Sequence, residues 1–99
     1  MATFITTLKF TDKGVREIRD SSMRAAAFKT SASKMGVKVS GLYWTLGSFD
    51  GVIVSEASDA ETVTAAMLSL SSKGNVQTNT CLAFDATDFE KIIKVLGTE

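Results

Sequence analysis

The sequence predicts an α+β fold of the split βαβ, or ferredoxin-like, plan: βαββαβ with an extra C-terminal helix around a four-stranded antiparallel sheet. Three observations predict it. Four segments carry the β-branched, alternating composition of strands. Apolar residues at three-and-four spacing fill the connections after the first and third of them, and helical crossovers of one hand place both helices on the same side of the sheet. The second and third strands are joined by the glycine-bearing turn GSFDG, which makes a hairpin. The 99 residues form a single domain, 1–99, because two would each be too small to build a core.

The elements follow in order. Residues 3–10 (TFITTLKF) are a strand with Phe4, Leu8 and Phe10 on one face and Ile5 on the other. Residues 12–35 read as one helix, capped by Thr11 or Asp12 and weakened in its first turn by Gly14. Its inward positions are Val15, Ile18, Ala25, Phe28, Ala32 and Met35, and Gly36 stands where a left-handed C-cap is wanted. Residues 37–46 and 52–57 are the hairpin strands. Asp59 caps the next helix, with Val63, Ala66, Met67 and Leu70 inward and Gly74-Asn75 as its stop. Residues 76–84 are the fourth strand. Thr87 or Asp88 begins a last helix with Phe89, Ile92, Ile93 and Leu96 inward, ended by Gly97.

Helices on one face leave the other face of the sheet to be explained. In the second strand both residue sets are apolar or aromatic near the hairpin: Tyr43 lies in one, Leu42, Trp44 and Leu46 in the other. A bulge at Gly41 would exchange the two sets downstream, so the sequence leaves open which faces the helices. Either way an apolar patch remains on the uncovered face, and such patches mark interfaces or ligand grooves. Self-association covers it in the first reading; in the second, the last helix folds over part of it.

Composition excludes several functions. There is no histidine, which removes the commonest general base and metal ligand, and the single Cys81 builds neither an internal disulfide nor a thiolate metal cage. No metal and no cofactor are therefore expected. Eleven bases balance eleven acids, against a strongly basic nucleic-acid binder. Eight of the bases precede residue 41, and those on the first helix (Lys13, Arg16, Arg19, Arg24, Lys29, Lys34) read as a solvated basic face rather than an RNA-binding sheet. Without a signal peptide or an apolar run near 18 residues, the expectation is a cytoplasmic protein with no membrane partner. Cys81, mid-strand with no basic neighbour, reads as buried and inert.

The stretch LYWTLGSFDGVIVSEASD (42–59), followed by GNVQTNTCLAF (74–84), resembles the GYD-domain family, named for a Gly-x-Tyr-Asp turn between the second and third strands. The resemblance runs from the first strand through Leu96. It implies a ferredoxin-like domain that pairs, sheet against sheet, into a dimeric α+β barrel, and it assigns no reaction. Gly47 and Asp50 match the turn; Phe49 stands where the family has tyrosine.

Four residues are candidates for a ligand site: Tyr43, Trp44, Phe49 and Asp50. Tyr43 and Trp44 point to opposite faces, so one packs in the core and the other stands on the open face, where a ring can stack on a flat ligand. Asp50 reads first as a turn residue whose carboxylate accepts backbone N–H groups, and second as a base or substrate anchor at a cavity mouth. The expected function is that of a small homodimeric or higher-oligomeric GYD-type protein, with a cavity between sheets for a small apolar or aromatic ligand. The alternative is a cofactor-independent oxygenase or isomerase acting on a small aromatic or carbonyl compound, by analogy of fold.

Overall fold

The computed structural model describes residues 1–97. Its elements are β1 (Ala2–Phe10), α1 (Asp12–Arg16), a 3₁₀ turn (Ile18–Asp20), α2 (Ser21–Lys34), β2 (Lys38–Trp44), β3 (Gly51–Ala57), α3 (Ala60–Ser72), β4 (Val76–Ala83) and α4 (Ala86–Val95). The strands form one antiparallel sheet in the order β2-β3-β1-β4. This is the ferredoxin-like arrangement with an extra C-terminal helix.

The core lies between the sheet and helices α2 and α3. Phe4 and Leu8 of β1 and Ile53 and Ala57 of β3 meet Phe28 and Ala32 of α2 and Val63, Ala66 and Met67 of α3, with Val37 and Val76 closing the ends. Thr6 is fully buried among them because its hydroxyl bonds the Thr80 hydroxyl at 2.8 Å. Asp59 caps α3 through the Thr62 N–H and hydroxyl, at 2.8 and 2.7 Å. These two bonds, the hydroxyl foremost, hold its carboxyl below the ordinary range.

The expected single helix over 12–35 is broken. The chain leaves helical geometry at Glu17, makes a 3₁₀ turn and restarts at Ser21. Two separate anchors account for it. The first turn is tied to the loop before β4: Thr11 N–H donates to the Asn75 carbonyl, its hydroxyl donates to the Gly74 carbonyl, and Lys13 Nζ donates to the Lys73 carbonyl. The later turns are set by Phe28 and Ala32 in the core. Val15, expected inward, is 57% exposed, and Ile18 and Met35 are exposed as well.

Gly14 belongs to the first anchor and does more than weaken a turn. It is buried, and a Cβ there would drive into the Asn75 carbonyl group. Only glycine allows the helix start to approach that backbone.

The β2–β3 ladder pairs Val39 with Ser55 and then Gly41 with Val54, so Ser40 is an extra, bulged residue. Val37 is buried and Val39 half-buried against the helices; beyond the bulge Leu42 and Trp44 take that side, opposite Ile53 and Gly51. Tyr43 therefore stands on the open face.

Helix α4 starts at Ala86, ahead of the expected Thr87 or Asp88 start, on the Asp85 cap, whose carboxylate accepts from Asp88 N–H at 2.8 Å. Its stripe of Phe89, Ile92, Ile93 and Leu96 does not turn inward. No residue of α4 is buried; Phe89 is 53% and Leu96 76% exposed. Nor does the helix fold over the open sheet face. The chain reaches 55 Å in its longest dimension, with a radius of gyration of 15.3 Å, where about 13 Å is usual for this length.

Candidate functional site

Three surfaces can carry function: the open face of the sheet, the turn after β2, and a cavity under the helices.

Register and alternation place Ile5 of β1, Val52 and Val54 of β3, Tyr43 of β2 and Cys81 of β4 on the open face. Tyr43 is 59% exposed and its ring leans over Gly41, filling the space a side chain would take there. Cys81 is exposed, not buried as its mid-strand position suggested, because the face it stands on has no cover among the described residues. Thr7 and Asn79 stand beside them on the same face, with Lys9 and Gln77 toward one end and Lys38, Glu56 and Thr3 toward the other. A cluster of apolar side chains bordered by polar groups is the anatomy of a protein interface.

The turn holds Phe49 and Asp50. Asp50 Oδ2 accepts from Phe10 N–H at 2.8 Å, its own N–H donates to the Leu8 carbonyl at 2.7 Å, and its carbonyl accepts from Thr45 N–H at 2.9 Å. Thr45 Oγ1 donates to the Phe49 carbonyl at 2.7 Å. The carboxylate thus binds not the turn's own amides but the end of β1, forty residues away in sequence. The sheet order explains this, since the turn opens onto Gly51, which pairs with Leu8 of β1. Phe49 is only half-buried, so an added hydroxyl can reach water. Phe49→Tyr should shift the thermal midpoint by less than about 4 °C; a larger loss in a thermal melt would mean that the ring is enclosed.

The cavity has a volume of about 140 Å³ and lies between α2, α3 and the helix-facing side of the sheet. Leu8, Phe10, Phe28, Leu42, Trp44 and Ile53 form much of its wall. Arg24, Lys73 and Asn75 also line it, with three serines, and no acidic side chain does. Asn75 is 8% exposed, and its Oδ1 is buried without a hydrogen-bond partner.

The four sequence candidates therefore do not converge. Tyr43 is on the open face, Trp44 on the cavity wall, and Phe49 and Asp50 in the latched turn. Arg24 and Asn75 were not among them. Arg24 sat in what read as a solvated basic helix face and Asn75 in a helix stop; the sequence carries no signal that joins two positions about fifty residues apart. Among the described residues, no three His, Cys, Asp or Glu side chains are grouped to hold a metal ion, and no helix is long and apolar enough to cross a membrane.

Comparison with known proteins adds three findings. The family model of the GYD domain matches residues 4–93. A protein of Thermus thermophilus, named glutamine synthetase and cystathionine beta-lyase binding protein, is 38% identical over 89 residues, 89% of this chain and 94% of that one. A crystal structure of a Thermus thermophilus protein superposes with a TM-score of 0.57 at 22% identity, covering 87% of this chain and 96% of the other. That likeness concerns the fold.

Proposed function

Because the chain belongs to the GYD-domain family, we propose that it is a cytoplasmic protein-binding homodimer: two copies pair their open sheet faces into an α+β barrel, and the assembly binds enzyme partners. One observation carries the pairing. The isolated chain exposes 6683 Å², about 1,200 Å² more than the roughly 5,500 Å² usual for a folded monomer of its mass. A stable interface removes about 800 Å² from each partner. The surplus is of the size such an interface would cover, and Ile5 and Tyr43 on the open sheet face and Phe89, Ile92, Ile93 and Leu96 on α4 are exposed apolar side chains.

Partner binding rests on the Thermus relative, whose name gives two enzymes as its partners. The enzyme alternative, a cofactor-independent oxygenase or isomerase, needs two or more convergent polar groups able to move a proton. Asp50 is occupied by a backbone N–H, and no carboxylate or cysteine lines the cavity.

Sedimentation velocity tests the pairing. The wild-type chain at micromolar concentration should sediment as a dimer or a multiple of it, and Val54→Asp, at the centre of the open face, as a folded monomer. A wild-type mass near 10.6 kDa overturns the proposal. Co-sedimentation with purified glutamine synthetase of the source organism tests partner binding; its absence, together with absence for cystathionine beta-lyase, removes that part.

A further inference from the structure

We infer that the cavity between the helices and the sheet is a binding site for a small aromatic carboxylate, one ring with an anionic head. The site lies within a single chain and does not depend on the pairing proposed above.

Size sets the apolar part of the ligand. A cavity of about 140 Å³ matches the roughly 150 Å³ engineered space that takes up one benzene ring when lined by apolar side chains. The walls suit a ring: Phe10, Phe28 and Trp44 offer aromatic edges and faces, and Leu8, Leu42 and Ile53 add aliphatic wall to a cavity that opens to solvent on one side.

Charge sets the head group. The lining residues include two cations, Arg24 and Lys73, and no anion. Arg24 is half-buried; its guanidinium donates to the Glu17 carbonyl at 2.9 Å and to Ser21 Oγ at 3.3 Å, so it is held at the start of α2 by neutral oxygens and not neutralised by them. Ser21 opens α2, whose first turn carries no acidic residue and whose N-cap, Asp20, makes no side-chain bond. The helix dipole adds to the positive potential at this end of the cavity, offset in part by the Asp20 carboxylate at the N-cap. A carboxylate is the group that this potential and the planar guanidinium fork both favour.

Asn75 adds a neutral polar residue to the wall, with its amide oxygen closed off from solvent. A side-chain amide that is nine-tenths buried with an unpartnered oxygen costs stability, and native structures seldom keep one without a reason. Asn75 belongs to the cavity wall, and its backbone is fixed by Thr11. The cavity therefore meets other atoms of this residue and not the sealed oxygen, and the head-group preference rests on Arg24 and Lys73.

Trp44 is the chain's only tryptophan and lines the cavity, so its fluorescence reports occupancy. Titration should use three probes with the same ring and different heads: phenylacetate, 2-phenylethanol and 2-phenylethylamine. Phenylacetate should give a saturable change with a Kd of about 1 mM or tighter, about tenfold tighter than the alcohol and tighter still than the amine. Ala25→Leu, which fills the cavity wall, should abolish the change. Arg24→Gln and, separately, Lys73→Gln should remove the preference for phenylacetate over the alcohol. Equal binding of all three probes, or no saturable change up to about 10 mM, overturns the inference; the head-group series on wild-type protein decides even if a variant fails to fold. Sedimentation of the same samples keeps this outcome apart from the pairing, since a monomer would still hold the whole site.

Discussion

Gly14→Ala should lower the thermal midpoint by roughly 10–20 °C, a loss of about 2–3 kcal/mol. Two effects oppose each other here, and their sizes decide the sign. Gly14 lies in the first turn of α1, where alanine is the better helix former by about 0.8–1.0 kcal/mol. If helix propensity governed the site, the variant would be more stable than wild type. The added Cβ, however, would overlap the Asn75 carbonyl group, which also accepts the Thr11 N–H. Neither side can yield cheaply, because both are backbone. The latch joining the start of α1 to the loop before β4 would have to open. A melt at or above the wild-type midpoint would show that the latch does not hold the two segments together.

Asp50→Ala should lower the midpoint by roughly 5–15 °C. The substitution removes the oxygen that accepts Phe10 N–H at 2.8 Å and leaves that donor without its partner. A hydrogen bond to a charged group contributes about 1.5–3 kcal/mol, reduced here because the site is only half-buried. Asp50→Asn keeps an acceptor and should lose less than half as much. A catalytic carboxylate predicts the reverse, since functional groups often cost stability and their removal can raise the midpoint. Thermal melts of the three proteins separate the two roles. If Asp50→Ala melts no lower than wild type, the carboxylate is not an anchor.

The sequence was most legible where local chemistry and tertiary packing agree. The caps at Thr11 and Asp59, the left-handed glycines Gly36 and Gly74, and the Val63–Ala66–Met67 face all stand as read. It was least legible where an apolar pattern has no partner inside the chain. Phe89, Ile92, Ile93 and Leu96 have the spacing of a buried face, and periodicity identifies the stripe without saying what covers it. Val15 and Ile18 mislead for a related reason: the pattern runs unbroken through Glu17 while the backbone does not. Of the candidate site, Trp44 and Asp50 could be singled out as residues, but not their surroundings. Asp50 turned out to bind β1, and Trp44 to share a cavity wall with Arg24 and Asn75, because these neighbours are set by strand order and helix placement.

The bulge at Ser40 gives β2 a phase. Every residue after it presents to the helices what the unbroken alternation would have presented outward. The facing of the strand beyond it therefore depends on the extra residue staying out of the ladder. Were Ser40 drawn into the ladder at constant length, the pairing beyond it would slip by one and exchange Tyr43 with Trp44: the phenol would enter the cavity wall and the indole would stand on the open face. Both surfaces would change chemistry with no side chain of either having been substituted. Loss of one residue at the bulge has the opposite effect: it restores one-to-one pairing and keeps Leu42 and Trp44 toward the helices, so a relative one residue shorter here would present the same two surfaces.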